Sequence, residues 1–202
     1  TFHTPLNYEG DYSTYHWLDY EKLSNQSCQL ILNTSRGGVI EEKSLLKAMD
    51  DGAVGNIIID TWEHEPQFNL VTATHAFIKT PHIAGYSKQA KDNATRMVVH
   101  AMLNHFDIPA KQSEDGQFSR AIQAEINSYE SFSDLLVTLH PIRKYEAELV
   151  KIIDDHPDER GKYFNKLRAE YPLRQEFAQT YLPTAYFKRF PVLRKLGFSE
   201  IS

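Results

Sequence analysis

Three residues of this 202-residue chain have side chains suited to proton transfer and anion recognition: Arg36 in SRGGVI, Glu65 in DTWEHEP and His82 in TPHIAGYS. An imidazole exchanges protons at physiological pH. A carboxylate beside it fixes its tautomer and favours its protonated form. A guanidinium offers two parallel donors that match a carboxylate. Brought together, the three could draw a proton from a substrate held by its acid group. Each also has an ordinary reading. His82 is one of nine histidines, most of which must be packed or capping residues. Glu63 and Glu65 suit an exposed acidic turn, and Arg36 a cap beside the next helix. Two carboxylates two residues apart cannot easily flank a sugar from opposite sides, which argues against a glycosidase pair. His64, His82 and the two glutamates have no HExxH or CxxC spacing, so no metal is expected.

The elements around these residues put them on one rim. CQLILN (Cys28–Asn33) and VGNIIID (Val54–Asp60) are short, β-branched apolar runs of the kind found in strands buried on both faces. EEKSLLKAMDDG between them reads as a helix with Leu45, Leu46 and Met49 on one face, glutamates at its positive end and Gly52 just past its close. AFIKTP (Ala76–Pro81) is a third strand, stopped by proline. This β-α-β-loop-β rhythm predicts a parallel, doubly wound sheet, in which ligands lie beyond the carboxyl ends of the strands. Arg36, Glu65 and His82 all follow such ends, and Gly37-Gly38 is expected to let a ligand approach the backbone. A long helix is predicted from Ser87 to about Phe106, then a linker over DIPAKQSEDGQ. Beyond it PIRKYEAELVKIID, RGKYFNKLRAEY and PLRQEFAQTYL read as a separate α-rich module, with a strand expected at DLLVTLH.

Composition narrows the function classes. At 41% hydrophobic and 24% charged the chain reads as globular. Its longest apolar runs fall far short of the roughly 18 residues a membrane span needs, so no membrane partner is expected. Residues 1–110 carry 8 basic against 13 acidic residues and residues 111–202 carry 14 of each. Neither half has the basic stripe that nucleic acid requires. A single cysteine, Cys28, excludes an internal disulfide framework, and TFHTPLNYEG has neither the basic flank nor the apolar core of a secretory signal. A cytoplasmic location is the expectation. The chain opens with Thr1 on what reads as the end of a strand, which suggests a fragment.

Taken together, SRGG with Arg36, DTWEHEP with Asp60 and Glu65, and PHIAG with His82 and Gly85 resemble the D-isomer-specific 2-hydroxyacid dehydrogenases, in order and in spacing. FHTPLNYEGDYSTYHW and PHIAGYS resemble one member of that family in particular, and FNKLRAEYPLRQEF and LRKLGF resemble its own C-terminal dimerisation domain. The resemblance implies an α/β fold: the second half of a doubly wound, Rossmann-like parallel sheet followed by a small α+β dimerisation domain. It implies residues 1–82 as the C-terminal half of an NAD-binding domain, 83–112 as a helix and linker, and 113–202 as the module of a homodimer. Arg36, Glu65 and His82 would be catalytic. Thr4, Thr34, Ser35, Arg36, Asp60 and Gly85 would line NAD, and Tyr86 would reach a phosphorylated sugar-acid substrate. No G-x-G-x-x-G turn occurs in the 202 residues, so the chain by itself is expected to be catalytically incomplete. The competing readings are a dehydrogenase for another 2-hydroxy acid such as phosphoglycerate, a non-catalytic nucleotide sensor, and a pure dimerisation module.

Overall fold

The computed structural model describes residues 1–109, 120–121 and 129–201. Two compact units emerge: residues 1–84 with 141–171, and residues 85–140 with 172–202.

In the first unit, β1 (Cys28–Asn33), β2 (Val54–Ile59) and β3 (Ile78–Lys79) form a parallel sheet in the order β1-β2-β3. Phe2 adds a parallel bridge to Asn33 of β1. α1 (Tyr20–Ser24) precedes the sheet, α2 (Glu42–Asp50) connects β1 to β2, and α3 (Leu70–His75) leads to β3. α2 ends as its sequence requires: Gly52 takes φ +74°, a left-handed conformation that glycine adopts without steric cost. The strands are not buried on both faces. Ile31, Asn33, Ile57 and Ile59 are buried, whereas Leu30, on the opposite face, is half exposed. This is period-two alternation, with Ile31 opposite Ile57 and Asn33 opposite Ile59 in register.

The unit's core continues into residues far along the chain. α6 (Ile142–Asp155) and α7 (Arg160–Ala169) contribute Leu149, Ile152 and Phe164 to the cluster that holds Ile57, Trp62 and Phe68. The Phe164 ring lies 5.5 Å from that of Phe68, Arg160 Nε donates to the Phe68 carbonyl at 2.8 Å, and Lys79 pairs with Glu146 at 3.7 Å. The contacts therefore divide the chain differently from boundaries at 82 and 112. Helices predicted as part of the tail module bury their apolar faces in the first unit, because Leu149, Ile152 and Phe164 find their partners there.

The second unit contains α4 (Lys88–His105), α5 (Phe132–Leu139), α8 (Thr184–Arg189), α9 (Val192–Lys195) and a parallel sheet of β4 (Arg120–Ala121), β5 (Thr180–Pro183) and β6 (Ser199–Ile201). Leu135, Leu139, Leu182, Tyr186, Phe187 and Leu193 form its core. DLLVTLH is helical, not a strand. Ser131 Oγ accepts the Asp134 N–H, the Asp134 carboxylate accepts the Glu130 N–H, and Leu135 and Leu139, four apart, share the buried face. β5 was not expected within PLRQEFAQTYL. α4 matches its prediction and starts on Ser87, whose Oγ accepts the Ala90 N–H and donates to Glu176 at 2.6 Å. The predicted linker 107–117, and with it the boundary at 112, falls largely outside the described residues. Among the described residues, no helix is long and apolar enough to cross a membrane.

Removing the Phe164 ring opens a cavity against Phe68. Phe164→Ala is expected to cost about 3–5 kcal/mol in urea unfolding monitored through Trp62. A loss confined to probes in the second unit would contradict the division of the chain.

Candidate active site

Arg36, Glu65 and His82 stand beyond the carboxyl ends of β1, β2 and β3 respectively. Behind them lies a residue that the sequence reading assigned to cofactor contact. Asp60, directly after β2, is 2% exposed. Its Oδ1 accepts the Thr80 hydroxyl at 2.6 Å and the Ile83 N–H at 2.8 Å, and its Oδ2 accepts the Ala84 N–H at 3.0 Å. Its carbonyl accepts the His82 N–H at 2.8 Å. Four bonds from one residue thus shape the PHIAG turn. His82 sits at φ +55°, a left-handed conformation unusual for a residue with a Cβ. The bonds on either side of it hold it there. Burial pushes the Asp60 carboxyl above its usual range, opposed by the Thr80, Ile83 and Ala84 donors and by the charge of His82.

The turn aims His82 at Glu65, whose Oε1 lies 2.5 Å from Nδ1. The carboxylate accepts, so Nδ1 carries the proton and Nε2 is the nitrogen left for a substrate. Oε2 of Glu65 accepts the Trp62 N–H at 3.3 Å. Burial acts to raise the Glu65 carboxyl, but the hydrogen bond and charge of His82, with Trp62 N–H and the more distant Arg168, hold it below the usual range.

Arg36 is exposed, and its Nη1 donates to the neighbouring Ser35 carbonyl at 2.6 Å. Asn33, which the sequence reading passed over, shapes this turn: its Oδ1 accepts from Ser35 N–H and hydroxyl, and its Nδ2 donates to the Arg36 carbonyl at 3.0 Å. Thr34 is partly buried on the same turn. What comes close to Gly37 is protein. A Cβ there would lie 1.9 Å from the Trp62 carbonyl oxygen, so this glycine lets the DTWEHEP loop cross the SRGG turn. Arg36 and Glu65 consequently line one cavity of about 310 Å³, together with Tyr8, Tyr15, Trp62 and Glu63. His82 joins this constellation through Glu65. Thr4 is partly buried, its hydroxyl donating to the Pro5 carbonyl at 3.4 Å. Gly85 and Tyr86 belong to the second unit, where the Lys91 ammonium sits 4.4 Å from the Tyr86 ring centre. The cavity is within the size range of small-molecule sites. The exposed Arg36 guanidinium at its edge offers two parallel donors to an acid group. None of the 202 residues supplies the glycine turn that cradles a pyrophosphate.

Arg36, Glu65 and His82 thus follow three neighbouring parallel strands on one α/β rim. Residues 1–84 match the D-isomer specific 2-hydroxyacid dehydrogenase, NAD binding domain. Over its greater length the chain is similar to erythronate-4-phosphate dehydrogenases. It is 39% identical to that of Bacteroides fragilis over 177 residues, 87% of this chain and 48% of the relative. The Coxiella burnetii enzyme is 34% identical over 193 residues, 93% of this chain and 50% of the relative. That of Yersinia enterocolitica is 30% identical over 206 residues, 98% of this chain and 53% of the relative. The chain spans about half the length of the curated relatives it matches. Among solved structures, an NADPH-dependent glyoxylate/hydroxypyruvate reductase from Sinorhizobium meliloti superposes with a TM-score of 0.44 at 21% identity, covering 55% of this chain and 34% of the other.

Two outcomes are expected. Gly37→Ala forces the two loops apart and should cost about 1–3 kcal/mol, read as a lowered unfolding midpoint; an unchanged midpoint would show that Trp62 yields freely. The second concerns pH. A carboxyl whose folded pKa lies below its unfolded value of about 4.3 stabilises the fold fully above that value. It loses this contribution as pH falls through the lower folded value. The stability gap between the natural protein and Glu65→Gln should therefore narrow between neutral and strongly acid pH, and urea titrations at both would expose a constant gap.

Proposed function

We propose that this chain supplies the catalytic rim of an NAD-dependent dehydrogenase that oxidises 4-phospho-D-erythronate to 2-oxo-3-hydroxy-4-phosphobutanoate, a step of pyridoxal 5'-phosphate synthesis. The observation that carries the proposal is the 2.5 Å pairing of His82 Nδ1 with Glu65, on the same rim as an exposed Arg36. The similarity to erythronate-4-phosphate dehydrogenases over most of the chain supports the substrate.

The substrate's carboxylate sits against the Arg36 guanidinium, whose fork matches it in plane and charge. His82 Nε2 accepts the proton of the substrate hydroxyl, and Glu65 stabilises the imidazolium that results. Bound NAD supplies the acceptor for the hydride leaving the same carbon. As the carbonyl forms, Arg36 stabilises the negative charge gathering on its oxygen. Thr4, the Thr34–Ser35 turn, Asp60 and Gly85 would line the cofactor, and Tyr86 would face the phosphorylated substrate. Asp60 acts first through the turn it builds, since both its oxygens already accept hydrogen bonds. A homodimer formed through the C-terminal residues belongs to the same proposal. A test of it by sedimentation needs the whole chain, because residues 113–202 alone would strip α6 and α7 from Phe68 and Trp62.

In the intact protein, His82→Ala is expected to lower turnover of 4-phospho-D-erythronate with NAD by at least about 100-fold, the lower end for general acid–base catalysis. A rate near normal, with the variant folded, would remove His82 from the reaction and the proposal with it.

A further inference from the structure

The loop that carries Glu65 is gripped by a residue that the proposed chemistry leaves unused. Glu63 is buried, at 9% exposure. Its Oε2 accepts the backbone N–H of Glu42, the first residue of α2, at 3.1 Å, while its own N–H donates to Glu42 Oε1 at 2.7 Å. The exchange is reciprocal, so a shift of Glu63 along either direction breaks both bonds at once. A carboxylate at a helix N-terminus is also favoured by the free N–H groups and the helix dipole. The other oxygen, Oε1, lies 2.5 Å from His16 Nε2.

His16 is itself fixed. Its N–H donates to the Gly38 carbonyl at 2.7 Å, its ring stacks on Tyr15 at 3.9 Å, and its backbone is left-handed at φ +49°. Glu41 faces its Nδ1 at 3.8 Å, and the exposed His64 lies 3.9 Å from Glu63. On the other side of the loop, the Trp62 indole donates to the Thr80 carbonyl at 2.9 Å. The chain between Asp60 and Glu65 is thus pinned at two adjacent residues facing different elements: Trp62 to the end of β3 and Glu63 to α2 and His16.

We propose that Glu63 is a positioning residue: tied to Glu42 and His16, it sets the path of the loop and so the geometry of the Glu65–His82 pair. The inference rests on the reading of that pair given above. Trp62 alone leaves the loop free to turn about one anchor, and Glu65 lies only two residues beyond Glu63. A displacement of about 1 Å at a reacting pair lowers rates by as much as about 100-fold.

The test uses the intact protein and two readouts. The first is the ¹⁵N shifts of the His82 ring, which report which nitrogen holds the proton, with Glu65→Gln as the reference for a disturbed pair. Glu63→Ala and His16→Gln should move these shifts toward those of Glu65→Gln. Glu63→Gln should restore them in large part, since its amide oxygen still accepts the Glu42 N–H. The second is steady-state turnover of 4-phospho-D-erythronate with NAD. Here Glu63→Ala should lower kcat about 10- to 100-fold while KM for NAD stays within about twofold. Ring shifts that remain natural in both Glu63→Ala and His16→Gln overturn the proposal. Where Glu63→Ala fails to fold, His16→Gln decides alone, because it leaves the Glu42 exchange in place. If Glu65→Gln turns over at the natural rate, the functional reading falls, while the ring shifts still judge the role of Glu63.

Discussion

The geometry of the rim depends on one buried carboxylate. Asp60 follows β2, and its two oxygens gather the Thr80 hydroxyl and the N–H groups of Ile83 and Ala84. Removing a carboxylate from water is costly unless donors replace the lost hydration, and here three do. The return is conformational. The same donors hold the turn in which His82 takes a left-handed backbone and its ring meets Glu65. The arrangement works because β2 and β3 are adjacent and parallel, which brings Asp60 level with the start of the turn. A sheet with a strand inserted between them would put the two beyond hydrogen-bond reach.

Two carboxylates on one loop have been driven in opposite directions by their surroundings. Burial dominates at Asp60 and raises its carboxyl, whereas at Glu65 burial is outweighed by the hydrogen bond and charge of His82 together with the Trp62 N–H and Arg168, and the carboxyl is lowered. Separation of this kind marks different duties. Asp60 is an acceptor inside the scaffold, and Glu65 a charged partner at the surface of the site. The loop can serve both because Gly37 lets its backbone cross the neighbouring turn at close range, which leaves Arg36 and Glu65 facing one cavity.

Much of this was legible in the sequence. Strand runs ending in polar residues located Arg36, Glu65 and His82, since alternation and turn chemistry are local signals. Other features were not, because they depend on partners distant in the chain. Asn33 and Glu63 looked like ordinary polar residues, yet one shapes the Arg36 turn and the other clasps α2. Gly37 suggested an approaching ligand, and the approaching group is the Trp62 backbone. At DLLVTLH the β-branched and leucine content favoured a strand. The capping pattern from Ser131 to Asp134 and the i,i+4 pair Leu135/Leu139 were already present and point to the helix that forms. α6 carries a plain amphipathic pattern and α7 a weak one, and no local pattern states which sheet such a helix will cover.

That last point has a temporal side. The first unit is discontinuous: β1–β3 lie within residues 1–84, but Leu149, Ile152 and Phe164 are translated much later. At about 5–20 residues per second, the ribosome leaves the β1–β3 sheet without those helices for several seconds. During that interval Trp62 and Phe68 have no aromatic neighbour from α7, and the loop bearing Glu65 rests on an unfinished floor. The loop that carries Glu65 is therefore made well before the helices that complete the core beneath it.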